Sequence, residues 1–303
     1  MSQDLLSYGT AADDTVRCLA VITTNLVDEA MRRHQTAPTA TAALGRALTG
    51  ALLLAASVKE LDRLTVQIKG DGPLGQITAE ANALGHARGY VHNPETDLPL
   101  NEAGKLDVRG AVGQGMFYVM HESGYELGLH REPYRSSVPL VSGEIAEDFA
   151  YYLARSEQIP SAVLLGVQVR RNPDSEDNYV SAAGGLMIQM MPGAEENVIS
   201  EIESAIQKLP HTTELIRAGA TAGDLLNAVL GSLSFNKLGE KEVRFACTCS
   251  LDRAQSIISS LPRAEVESML AEDNGARFIC HFCNENYVLG PEIFQEILAA
   301  TPV

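Results

Sequence analysis

The chain predicts an α+β protein in three parts. These are a large N-terminal domain over 1–193 with a mixed, antiparallel-leaning sheet and helices, an amphipathic helical linker over 194–240, and a small C-terminal zinc-binding domain over 241–303. Three observations predict this. Short strand-like runs crowd the stretch from Leu64 to about Leu129. Two amphipathic helices follow without a strand between them. The last fifth carries Cys247-x-Cys249, 30 intervening residues, and Cys280-x-x-Cys283.

Thr15 to Thr23 reads as a strand, and Leu26 to His34 as a short helix after Thr24 as N-cap. Pro38 suits the first turn of an Ala- and Leu-rich helix reaching about Leu61. The runs LTVQIKG, QITAEA, ARGYVHN, GMFYVMH and YELGLH then alternate with Gly, Pro and Asn, as strands and turns do. A helix is expected at Ile145 to Ser156, and strands at Ala162 to Arg170 and Ala183 to Met191. In the linker, Val198, Ile202, Ile206 and Leu209 share one helical face before Pro210. A second helix runs from about Asp224 to Leu233, with Thr221 and Asp224 as a capping box. Neither helix is stable alone, so each must dock its apolar face. The adjoining cysteine domain is the expected docking surface. Within it, Ser250 caps one helix and Pro262 starts another.

Four thiols in two close pairs can supply the four soft ligands of a tetrahedral zinc site, one ion per chain. Zinc ribbons normally repeat C-x-x-C. The C-x-C pair instead sets two sulfurs one residue apart, able to bind metal or to close a small disulfide ring once metal leaves. The cluster is therefore either an inert staple or a redox sensor, and the C-x-C spacing favours the sensor. The fifth cysteine, Cys18, stands in an apolar run and reads as a buried small hydrophobe.

Composition narrows the function classes. The net charge is −16, and 241–303 holds five basic against nine acidic residues, a net of −4. Phosphate-backbone binding needs clustered Lys and Arg, so a nucleic-acid partner is not expected. The N-terminal MSQDLLSYGTAADD lacks the pattern of a secretory signal, and the run from Ala47 to Val58 is too short to span a bilayer, so no membrane partner is expected. Thiols kept reduced point to the cytoplasm. Gly70-Asp71-Gly72-Pro73-Leu74-Gly75 matches a dinucleotide fingerprint in letters, but Pro73 removes a donor and a strand follows, so a hairpin turn is expected. His121-Glu122 lacks metalloprotease spacing, and His281 reads as a loop residue. No catalytic constellation stands out, and an enzyme is not expected.

FACTCSLDRA, AEVESMLAED and CHFCNENYVL resemble the redox-switch domain of the thirty-three-kilodalton heat-shock chaperone family. LTVQIKGDGPLG, YYLARSEQIPS and AAGGLMIQMMPG are similar to segments of that family's N-terminal domain, in the same order. The sequence departs from the pattern at Leu251-Asp252, where charged residues often follow the C-x-C serine, and at Gly239-Glu240-Lys241-Glu242, where a denser acidic run is usual. The resemblance implies an ATP-independent holdase, inactive when reduced and zinc-bound through Cys247, Cys249, Cys280 and Cys283. It implies that oxidants join Cys247 with Cys249 and Cys280 with Cys283, the distal pair first, and that zinc then leaves and the linker unfolds. It further implies unfolded or oxidatively damaged client proteins, a homodimer when oxidised, and hand-over to ATP-dependent foldases. The competing classes are a structural zinc-ribbon module in transcription or translation, against which the acidic cysteine domain speaks, and a thiol–disulfide oxidoreductase, which would need Cys280 at a helix N-terminus.

Overall fold

Alternation of apolar and polar residues lays down two sheets and a hairpin in the computed structural model, which describes residues 3–59, 62–124, 132–175 and 177–300. The chain divides into two units, Met1–Ala246 and Cys247–Val303. In the first unit, one sheet has the order β10-β1-β2-β9-β8, from β1 (Leu5–Ala11), β2 (Val16–Ile22), β8 (Ser161–Arg171), β9 (Asn178–Met190) and β10 (Phe235–Glu242). The other has the order β11-β5-β4-β3-β6-β7, from β3 (Arg63–Gly70), β4 (Gln76–Asn82), β5 (His86–Val91), β6 (Gly115–Glu122), β7 (Tyr134–Pro139) and β11 (Arg244–Phe245). Every pairing is antiparallel except β11 with β5.

Helix α2 (Pro38–Ala55) is apolar on all sides, and a helix of that kind belongs in a core. It packs against β3, β4 and β5 of one sheet and β2, β8 and β9 of the other. Gly50 is required there, because a Cβ would sit 2.4 Å from the ring of Phe149 in α4 (Ala146–Arg155). The helix ends at Ala55, where the chain turns, short of the expected bound near Leu61, which itself lies outside the described residues.

Helix α1 (Thr24–His34) is capped differently from expectation. Thr24 lies inside the helix, and its hydroxyl exchanges hydrogen bonds with the backbone of Ala183. The cap comes from Asp4, whose carboxylate accepts from the backbone N–H of Asn25 (3.2 Å) and of Leu26 (2.8 Å). Burial dominates these bonds and raises the Asp4 carboxyl to about 6.

The hairpin turn at 70–75 joins β3 to β4 as expected, and its amides are consumed by the protein: Gly72 donates to Val112 and Leu74 to Ala111. The strand expected at YELGLH lies outside the described residues. Six elements among the described residues of this unit escaped the sequence reading, namely β1, β7, β10, β11, the short helix α3 (Val108–Val112) and the short helix α6 (Thr212–Arg217).

The linker stretch holds α5 (Glu196–Lys208), α6 (Thr212–Arg217), α7 (Ala222–Leu230) and then β10. The capping box of α7 forms, with Asp224 N donating to Thr221 (3.2 Å) and Thr221 N donating to Asp224 (2.8 Å). The helices do not need the cysteine domain as a docking surface. Ile202, Leu225, Leu226, Val229 and Leu230 bury themselves against Val16, Cys18, Ala20, Ile22, Leu186 and Ile188. Those six residues form the outer face of β2 and β9, while Leu19, Val21 and Met187 on the inner face join the main core. Cys18 is fully buried in this outer layer, and burial pushes its thiol up to about 12.

The second unit holds α8 (Leu251–Ser259), α9 (Arg263–Asp273), the hairpin β12 (Ala276–Ile279) and β13 (Asn286–Leu289), and α10 (Pro291–Ala300). Its buried apolar cluster among the described residues is Ala254, Ile258, Val266, Leu289, Phe294 and Ile297. A core of that size is marginal without a further constraint.

Asp4 holds its proton more tightly when folded than when unfolded. Its contribution to stability is therefore full below the ordinary carboxyl value of 3.8 and is lost as pH rises through about 6. The Asp4→Asn variant keeps an acceptor and removes this titration. Chemical denaturation of the two proteins across pH 3.5 to 7 (roughly the interval those pKa values span) should show wild-type stability declining relative to the variant between about 4 and 6.

Candidate metal centre

Each cysteine pair is placed by its own local element. Cys247 and Cys249 lie in an extended stretch that runs into α8, where Ser250 caps the helix by accepting from Arg253 N (3.1 Å). Cys280 and Cys283 sit in the turn of the β12–β13 hairpin. Cys280 N donates to Glu285 O (2.9 Å) and Asn284 N to Cys280 O (2.7 Å), with Asn284 in the left-handed region at φ 58. Asn tolerates that conformation better than most residues. Cys280 therefore stands in a hairpin turn and not at a helix N-terminus.

The four sulfurs converge within 4.8 Å of one another. Cys247 lies 3.7 Å from Cys280 and Cys249 lies 3.3 Å from Cys283. Thiolates at about 2.3 Å from a tetrahedral zinc would be separated by roughly 3.8 Å, so the cage has the right size. None of the four is joined in a disulfide in this structure. Cys283 is buried and the other three are half-buried. His281 is not among the grouped ligands of the described residues, and neither is Cys18.

Burial raises the Cys249 and Cys283 thiols, and neighbouring thiols add to the rise. Four thiolates this close repel one another unless a cation sits among them, and a divalent metal reverses the preference. The donor set, its spacing and its partial burial all fit zinc.

Tyr287 was not anticipated as part of the site. Its O–H donates to Cys249 Sγ at 3.2 Å, and that bond is the main reason its own phenol is held above the usual range. The clue in the sequence is its place: β13 is the return strand of the cysteine hairpin, and Tyr287 pairs with Phe278 in it.

The model of the Hsp33 protein family matches residues 4–290. The chain is 45% identical to a 33 kDa chaperonin of Desulforamulus reducens over 98% of this chain and 97% of that one. It is 45% identical to a 33 kDa chaperonin of Bacillus velezensis over 97% and 98% of the two chains, and 44% identical to one of Staphylococcus aureus over 98% and 99%. Its structure is similar to the crystal structure of the 33 kDa chaperonin of Thermotoga maritima, with a TM-score of 0.86 at 38% identity and 98% coverage of each chain.

Partners that hydrogen-bond a metal ligand tune its affinity, and their loss typically costs about 10–100-fold. Tyr287→Phe should weaken zinc retention by that order in competition with a chromogenic chelator, while leaving one ion per chain at saturation.

Proposed function

The chain belongs to the Hsp33 family, and from that premise we propose that it is a redox-regulated, ATP-independent holdase. It acts by binding and not by catalysis. In the reduced state Cys247, Cys249, Cys280 and Cys283 hold one zinc ion, and the chaperone is silent. Zinc, when bound, keeps the four thiolates deprotonated and so nucleophilic toward oxidant. Peroxide then takes two electrons from a thiolate pair, one S–S bond forms, and the cleaved O–O bond leaves as two waters after uptake of two protons. The proposed pairs are Cys247 with Cys249 and Cys280 with Cys283. The observation that carries this reading is the convergence of four sulfurs within 4.8 Å in a unit with so small a core.

Functionally the chain is proposed to work in three sections, 1–193, 194–240 and 241–303. Since α5 and α7 dock on the outer face of β2 and β9, metal loss cannot expose them by removing their docking surface. The coupling proposed instead runs along the chain. Cys247 follows β10 and β11 almost directly, and Ala246 N still donates to Ala87 O (2.9 Å). When the cysteine unit unfolds, this end loses its anchor, β11 and β10 fray, and α7, which packs on β10, β1 and β2, is released with its apolar stripe. Released stripes and the uncovered sheet face then bind unfolded or oxidatively damaged clients. The active form is a homodimer and passes clients to ATP-dependent foldases. The reaction takes place in the cytoplasm, consistent with the finding that no helix among the described residues is long and apolar enough to cross a membrane.

Suppression of thermal aggregation of a client protein, followed together with zinc release, tests the reading. Holdase activity should appear in peroxide-treated protein as about one zinc per chain leaves, and reversal by thiol reductant should abolish it. Zinc release without activity would favour a structural zinc ribbon. The coupling has its own test. Leu226 is fully buried, so Leu226→Asp loses about 1.5–3 kcal/mol of apolar burial and adds the cost of burying a charge. That variant should protect clients while still reduced and zinc-loaded, with α7 becoming protease-sensitive.

A further inference from the structure

A second site lies apart from the cysteines, between the two sheets of the N-terminal unit. There the end of α2 and the end of α4 leave a cavity of about 490 Å³. That volume lies within the range of about 300–1,000 Å³ typical of small-molecule sites. Its walls mix aliphatic side chains, among them Leu54, Leu64, Val119, Leu153, Ile159 and Met187, with charged and polar ones, among them Lys59, Asp62, His121 and Glu157. Two polar side chains on one wall set it apart from a packing defect. Arg17 on β2 and Gln189 on β9 are direct cross-strand partners and face the same side of the sheet. Gln189 is only 4% exposed, and both side chains line the cavity. Neither the guanidinium nor the carboxamide makes a hydrogen bond or ion pair among the described residues, although buried polar groups are nearly always satisfied. Burial depresses the Arg17 pKa, with no charged partner offsetting it, yet a guanidinium stays protonated in proteins.

The carboxylates nearby do not answer it. Asp62 accepts from His121 Nε2 (3.1 Å) and Gly124 N (2.8 Å), and Glu157 accepts from the Tyr152 hydroxyl (2.6 Å). Among the described residues the Arg17 guanidinium is left without a hydrogen-bonding partner, next to an amide that can donate beside it and facing aliphatic side chains. These two acids also disfavour a multiply charged ligand such as a phosphate. We propose that this cavity binds a small monocarboxylic acid with an apolar body, its carboxylate held by the Arg17 guanidinium and the Gln189 carboxamide. A planar guanidinium fork suits a carboxylate.

The probe is phenylbutyrate, titrated calorimetrically into the reduced, zinc-loaded full-length chain, with phenylbutanol as the uncharged analogue. Saturable one-site binding of phenylbutyrate is expected. Both the alcohol and the Arg17→Met variant should bind about ten- to a hundredfold more weakly, the range for losing a hydrogen bond to a charged group. Arg17→Met removes a partly buried charge that has no partner among the described residues, so the ligand-free variant should melt no lower than wild type, which guards against a folding artefact. Gln189→Leu should weaken phenylbutyrate and leave phenylbutanol unchanged. Equal binding of acid and alcohol, undiminished binding by Arg17→Met, or no saturable binding of phenylbutyrate to wild type would each overturn the proposal. None of these outcomes bears on the redox reading, whose thiols lie in the other unit.

Discussion

The C-terminal unit depends on one constraint, the crowding of four sulfurs within 4.8 Å. Six buried apolar residues among those described are a thin core, so its order is tied to whatever relieves that crowding. A divalent cation does so by turning mutual repulsion into four shared attractions. Structural zinc in small units contributes on the order of 10–16 kcal/mol of apparent binding free energy, against a whole-domain stability of about 5–15 kcal/mol. The same atoms that hold the unit together are therefore the ones whose chemistry can dismantle it. Three of the four cysteines are half-buried, which leaves a route for a small oxidant.

The N-terminal unit is built on a different principle. Its core is secured on both sides of α2, and the sheet containing β2 and β9 is buried on both faces. The inner face belongs to a large apolar cluster. The outer face is covered by α5 and α7, elements followed in the chain by β10, β11 and then Cys247. Removal of that cover would leave the inner core intact and uncover Val16, Ala20, Ile22, Leu186 and Ile188 as a contiguous apolar surface. On the proposed reading, this division between a permanent inner layer and a detachable outer one is what lets a chaperone expose hydrophobic surface without unfolding itself.

How much of this was legible in the sequence follows from how local each signal is. The cysteine pairs are local, and the Ser250 cap, the Thr221–Asp224 capping box and the turn at 70–75 were read from a few adjacent residues. Asp4 was missed as the cap of α1 because a helix cap supplied from the residue just before β1 leaves no trace at the helix itself. Strand β10 was missed for a related reason: FNKLGEKE is polar and charged, as an edge strand often is, and only pairing with β1 makes it a strand. The apolar stripes of α5 and α7 announced that something covers them, but periodicity carries no address. Tyr287 likewise became part of the metal site only once the hairpin folded it onto Cys249.

The placement of β10 and β11 carries the last step. On the proposed reading the thiols are a sensor and α7 an effector, and a switch of that kind needs the two joined by something weaker than either. β11 is two residues long and holds the sole parallel pairing among the described residues, while β10 is a charged edge strand with a register break opposite Tyr8 and Gly9. Parallel pairs are slightly less stable per residue than antiparallel ones, and a strand on an edge has one partner where an interior strand has two. Those two strands are thus the least secured part of the N-terminal unit, and they stand between the thiols and α7. Loss of order beginning at Cys247 would meet them before it met any element buried on both faces. The fold therefore grades its resistance, and the grade descends toward the cysteines.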